Sequence, residues 1–371
     1  MKNIISDNEK IQKLIQYYKD NGLLIVGLND SQGVNTTSTF FKKGLLEYLA
    51  FALTSEELTP NVISAFSLTM NKTEHIDYFL KNNLSLEEIK LSQIYSAISA
   101  LEKVMTDIGL PRFLGKAGNI YRLVYSPRKD DEKINISTLL KESQEPVMVY
   151  SSGINDLMRE VGINPFGIKG DYKAREKKPN YYYALEKTNN PETLNKVMDA
   201  MRKNYDTILG INSKTDIYTL GAYIPKSLQS EEMDIFRDLI IAYNEKLTNL
   251  CKQYNITFID TEEVGKKYNN SESNFHISTA GHNALANYIL GCMYHNKFEV
   301  KNSTERKNIS PIEITNKGSK GVIESILYDY EQSCKAAKEL SGYASERELS
   351  IANEHRRETE IFQKVLTKKS R

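Results

Sequence analysis

Five short apolar runs, rich in β-branched or aromatic residues, alternate along this chain with patterns of helical period. The runs are Leu23–Leu28, Val62–Phe66, Pro146–Ser151, Asp216–Gly221 and Ile256–Asp260, each bounded by Gly, Asn, Asp or Pro. A short run that is apolar at consecutive positions is buried on both faces, which marks a parallel strand. Between the runs lie helical patterns at Leu45–Leu53, Thr73–Leu80, Leu86–Ile108, Pro191–Leu209, Glu231–Tyr254 and Thr279–Tyr294. Pro191 stands at a first-turn position, after two asparagines able to cap the helix. The alternation predicts an α/β fold, a doubly wound, five-stranded parallel sheet. Right-handed crossovers then place helices on both faces, giving three layers, α/β/α.

The chain has 371 residues, 40% of them hydrophobic, enough for a sizeable core. Its formal net charge is +1, so whole-chain electrostatics recruit neither nucleic acid nor a membrane surface. No apolar run approaches the roughly 20 residues of a spanning helix. Residues Met1–Asp20 are polar and amphipathic and lack a signal-peptide core. Cys251, Cys292 and Cys334 stand singly, without metal-type spacing. Free, buried thiols and a cytoplasmic location are expected from that usage.

Three segments depart from the strand–helix alternation. Residues 109–145 are loop-rich and carry Gly115, Gly118 and a charged stretch from Arg128 to Lys133. Residues 164–190 interleave Lys169, Lys173, Arg175, Lys177 and Lys178 with Tyr181, Tyr182 and Tyr183. Both read as insertions in a domain spanning 1–300. The second is expected to shape a binding site or to form a solvated face, and nucleic-acid contact is not expected of it. The tail, 321–371, repeats Ile323, Leu327, Tyr330, Cys334, Ala337 and Leu340 at spacings of three or four, one helical face. Ile361, Phe362, Val365 and Leu366 form a second apolar cluster. This helical extension either docks on the main domain or offers a surface to a second copy or a protein partner.

Three motifs bring chemistry to element ends. Gly27–Gly33 follows the first run and carries Asp30 and Ser31. Gly153-Ile154-Asn155-Asp156 follows the third. Ser273–His282 precedes the last helical pattern and carries His276. The carboxyl ends of strands are where open α/β sheets place their sites. A serine hydroxyl becomes a nucleophile when a neighbouring base takes its proton. His276, with an ordinary imidazole pKa near ~6.5, is that base at neutral pH. The Asn155 amide is suited to donate to a developing oxyanion. Asp30 and Asp156 are read as turn-stabilising neighbours of Ser31 and Asn155. His276 and His282 are six residues apart and share no helical ligand face. His282 reads as a helix residue near the site's rim. No Gly-rich dinucleotide fingerprint follows a strand, and there is no P-loop.

These segments resemble the blocks of the SGNH (GDSL-like) hydrolase superfamily. Asn29-Asp30-Ser31 is similar to its Gly-Asp-Ser block, and Gly153-Ile154-Asn155-Asp156 matches its Gly-x-Asn-Asp block. Phe275-His276 followed by Gly281-His282 resembles its histidine block. The likeness covers roughly residues 20 to 296, and Tyr218–Pro225 resembles the strand before the family's last loop. It implies an esterase or acylhydrolase that needs no metal or organic cofactor and acts on a small-molecule, glycan or lipid ester. Ser31 would be the nucleophile and His276 the base. The oxyanion would be held by the Ser31 and Ser67 amides, with Gly153 and Asn155 from the third block.

Three positions differ from the family pattern. Asn29 replaces a glycine. Ser67 or Leu68 stands near the place of the second-block glycine. Ser273 replaces the acid three residues before the histidine, so either Glu272 or a backbone carbonyl orients His276. Two other outcomes use the same residues: a catalytically reduced protein that keeps the fold for binding or assembly, and an O-acyltransferase.

Overall fold

The structure is a computed structural model of the protein. It describes residues 6–29, 45–55, 57–58, 60–64, 73–85, 121–123, 135–154, 156–157, 191–224, 234–268, 277, 279–299 and 309–312. The expected helix at Leu86–Ile108, the insertion at 164–190 and the tail at 321–371 lie outside the described residues.

All five expected strands form: β1 (Leu24–Asn29), β2 (Asn61–Ser64), β4 (Val147–Ser151), β5 (Asp216–Leu220) and β6 (Thr257–Ile259). A short sixth strand, β3 (Tyr121–Leu123), lies within the segment read as loop-rich and extends the edge beside β2. Every pairing is parallel, and the order is β3-β2-β1-β4-β5-β6. Without β3, the five principal strands follow the order 2-1-3-4-5, in which the direction of winding reverses between β1 and β4.

Alternate residues of β1 show the three layers directly. Leu24, Val26 and Leu28 enter one core with Ile63, Met148 and Tyr150. That core is closed by α3 (Thr73–Lys81), α4 (Ile136–Glu142), α5 (Pro191–Ile211) and α6 (Asp234–Gln253). Ile25 enters the opposite core with Val62, Val147, Val149, Tyr218 and Ile259. There α1 (Asp7–Lys19), α2 (Leu45–Leu53) and α8 (Thr279–Tyr294) cover the sheet. The strand period of two thus feeds both cores at once, as the consecutive apolar positions require. A further short helix, α7 (Glu262–Lys267), follows β6.

Helix α1 opens with a capping box, in which the Ser6 and Glu9 side chains each bind the other's backbone N–H. Ile11, Leu14, Ile15 and Tyr18 on its inner face are buried. Two of the three cysteines, Cys251 and Cys292, are buried thiols outside any disulfide, as expected.

The amino edge of the sheet is closed by charge. Lys297, just past α8, pairs with Glu145 at 3.0 Å and Asp216 at 2.7 Å. Its ammonium also lies 5.1 Å from the Tyr17 ring centre. Burial favours loss of the Lys297 proton, but the neighbouring Tyr18, Asp216 and Glu145 outweigh it and hold its pKa above the usual lysine value. Burial likewise pushes Glu145 up, but hydrogen bonds from Tyr17 and Lys297 prevail and hold its carboxyl below the usual value. The carboxyl edge, opposite this cluster, is where β1 and β4 lead into the first two sequence motifs.

Candidate active site

Of the residues singled out from the sequence, Gly153 is described. Ser31, Ser67, Asn155, Glu272 and His276 are outside the described residues. What the structure shows is the framework that holds their chain neighbours.

The first element is the register of β1 on β4. Asn29 pairs with Ser151, so both strands end at the same level of the sheet. Ser31 follows Asn29 by two residues and Asn155 follows Ser151 by four. Asn29 itself is fully buried. Gly27, two residues earlier, has no room for a side chain: a Cβ there would run into Leu46.

The second is the turn after β4. Gly153 has φ +100°, in the region that favours glycine. A Cβ at this position would lie 2.8 Å from Val197 Cγ1 and 3.3 Å from the Tyr243 ring. Glycine at 153 is therefore required twice, by backbone angle and by space. The Leu157 N–H donates to the Gly153 carbonyl at 3.0 Å, closing a helical turn directly after the strand. The Tyr243 hydroxyl, from α6, donates to the Ser152 carbonyl.

The third is a polar node around Thr73, the first residue of α3 and 1% exposed. The Thr73 N–H donates to Asp156 Oδ2 at 3.0 Å, and the Thr73 hydroxyl donates to the same oxygen. The hydroxyl also lies 2.6 Å from that of Ser152. The Thr73 carbonyl accepts from Asn204 Nδ2 at 3.0 Å. Asp156, expected to steady its own turn, thus reaches a helix start 83 positions away. A carboxylate at a helix N-terminus also meets the positive end of the helix dipole.

The fourth is the segment Gly221-Ala222-Tyr223 at the end of β5. Asn244 Oδ1 accepts the Ala222 N–H at 2.8 Å, and Asn244 Nδ2 donates to the Ala222 carbonyl at 2.7 Å. Thr261 Oγ1 donates to the Gly221 carbonyl at 2.8 Å. The buried Tyr223 hydroxyl then accepts the N–H of Ile277 at 3.1 Å. Ile277 directly follows His276. Adjacent α6 residues, Tyr243 and Asn244, therefore pin the ends of neighbouring strands.

His282 lies on α8 as expected, but it is buried at 1% exposure and so is not a rim residue. Gly281 beside it packs against Ile277 and Tyr268. Thr73, Tyr243 and Asn244 carry no motif signal, whereas Tyr223 lies in the segment Tyr218–Pro225 singled out from the sequence. Each acts through a partner far away in sequence.

No family model matches the chain, and neither does any curated protein sequence. Comparison with solved structures finds distant likenesses. A lipase from a goat rumen metagenome is 14% identical, with 71% of this chain and 93% of that one covered at a TM-score of 0.40. A catalytic mutant of an acetylxylan esterase from Geobacillus stearothermophilus is 12% identical, covering 75% and 93% at a TM-score of 0.33. An extracellular lipase from Streptomyces rimosus is 9% identical, covering 71% and 94% at a TM-score of 0.37. At scores this low the likenesses carry no weight for activity. The chain's own strand order defines a doubly wound α/β protein, and β1 and β4 lead into the first two motifs at the carboxyl edge of its sheet.

Proposed function

We propose that this chain is a serine esterase or acylhydrolase of SGNH type. The observation that supports it most is convergence at one sheet edge. The ends of β1 and β4 are in register through Asn29 and Ser151, and the end of β5 binds the residue after His276 through Tyr223. The chain neighbours of the nucleophile, the amide donor and the base are thereby held by three adjacent strands.

In this reading Ser31 Oγ adds to the ester carbonyl carbon while His276 accepts the hydroxyl proton. The negative oxygen so formed is met by the Ser31 and Ser67 amides and the Asn155 side chain. The imidazolium gives its proton to the departing alcohol as the C–O bond breaks, leaving an acyl group on Ser31. Water then attacks that acyl group, His276 takes the water's proton, and the acid departs as Ser31 is reprotonated. Glu272 is the proposed orienting acid. The substrate is a small-molecule, glycan or lipid ester. No helix among the described residues is long and apolar enough to cross a membrane.

Turnover of short-chain aryl esters tests the reading. Wild type hydrolyses them, while Ser31→Ala and His276→Ala each lose at least about a thousandfold in kcat. A wild type inert toward every ester tried, yet folded, would favour the binding or assembly alternative. Product carrying the acyl group on an added alcohol or sugar in place of water would mark an acyltransferase.

A further inference from the structure

We propose that Thr73 and Asp156 form a clamp that positions the oxyanion donors, an inference that rests on the esterase reading. Two of those donors belong to different loops. Ser67 and Leu68 lie in the connection from β2 to α3, which ends at Thr73. Asn155 lies in the turn after β4, directly before Asp156. The Asp156 carboxylate joins the two. One of its oxygens takes both the N–H and the hydroxyl of Thr73.

The rest of Thr73 is committed to the same purpose. Its hydroxyl also meets that of Ser152, the residue directly after β4. Its carbonyl is held by Asn204 from α5, whose amide also donates to the Tyr150 hydroxyl at 2.9 Å. Thr73 and Asn204 are both buried, which shields their mutual bond from water, while Asp156 is half-buried. The clamp spans the gap between the β2 and β4 connections, with the end of β1, two residues before Ser31 in the sequence, between them in the sheet order.

Oxyanion donors act only when they are aimed at the place where charge develops. A shift of about 1 Å in such a group costs up to about a hundredfold in rate. Thr73 and Asp156 touch no reacting atom in this account, so they are positioning residues. Their loss is expected in kcat, with KM little changed.

The test uses the full chain and para-nitrophenyl acetate, with Asp156→Ala, Thr73→Val, Thr73→Ser and the Asp156→Ala/Thr73→Val double variant. Thr73→Val keeps the shape of the side chain and the backbone N–H, so it stays informative if Asp156→Ala folds poorly. At a temperature where each variant is fully folded, kcat falls about tenfold or more for Thr73→Val and Asp156→Ala. KM stays within about twofold, and the double variant is no slower than the worse single. Thr73→Ser restores the rate. Labelling of Ser31 by a fluorophosphonate slows in parallel, because its phosphoryl oxygen needs the same donors.

Folded Thr73→Val with kcat within about twofold of wild type overturns the clamp. So does a Thr73→Ser variant as slow as Thr73→Val. A wild type that neither hydrolyses the ester nor labels on Ser31 overturns the esterase reading itself, and the clamp with it; the two failures are therefore told apart by wild type alone.

Discussion

The Tyr223 hydroxyl accepts the backbone N–H of Ile277 at 3.1 Å, joining the end of β5 to the residue that follows His276. Both residues are buried. Tyr223 itself sits in a slot without slack, because a Cβ on Gly265 would collide with its side chain. This bond between a side-chain hydroxyl and a main-chain N–H holds the residue that directly follows His276.

Tyr223→Phe removes only that hydroxyl and leaves the Ile277 N–H buried without its acceptor. The expected cost is about 1–3 kcal/mol of stability. Beyond that, kcat falls severalfold at temperatures where the variant is fully folded. Thermal melts and ester turnover measured together check both effects. An unchanged kcat in a destabilised variant would confine Tyr223 to a structural role.

Gly153→Ala tests the turn that precedes Asn155. Alanine meets a φ of +100° and a Cβ contact 2.8 Å from Val197 Cγ1. The strained backbone and the overlap together are expected to destabilise by about 2–4 kcal/mol. Val197→Ala in the same chain relieves the overlap but not the backbone strain, so it recovers part of the loss. Chemical denaturation of the single and double variants measures the two contributions.

Much of the fold was legible in the sequence because parallel strands are buried on both faces and leave unbroken apolar runs. Strand β3 left no such run: it has three residues, Tyr121-Arg122-Leu123, at the sheet edge. Helix α4 was hidden by its length of seven residues. Helix α1 did carry a signal, the Ser6-x-x-Glu9 capping box ahead of Ile11, Leu14, Ile15 and Tyr18. Gly153 was legible through its motif, and its φ explains why that position needs glycine. The supports of the site were not legible. Thr73 meets Asp156 across 83 positions, Tyr223 meets Ile277 across 54, and Asn244 meets Ala222 across 22. Only the sheet brings them together, and no local spacing encodes such pairs.

The charged cluster at the amino edge predicts a pH dependence of stability. Glu145 has its pKa lowered below the ordinary 4.5 in the folded chain. Its contribution is therefore present above that value and fades as pH falls through the depressed folded value. Lys297 is raised above the ordinary 10.5, so its contribution is present below that value and fades as pH rises through the folded one. Lys297→Met removes the cation from both carboxylates and is expected to cost about 1–3 kcal/mol at neutral pH. The acid-side loss of melting temperature, followed from about pH 7 down to about pH 3, becomes shallower in the variant. An acid limb equal to that of wild type would show that Lys297 does not hold the Glu145 carboxylate.

Covalent labelling at Ser31 tests the central claim most directly. Full-length protein is incubated with a fluorophosphonate, digested, and the modified peptide located by mass spectrometry. The account predicts one adduct on Ser31, lost in Ser31→Ala and slowed at least about a hundredfold in His276→Ala. A folded wild type that forms no adduct, or forms it at another residue, would contradict it.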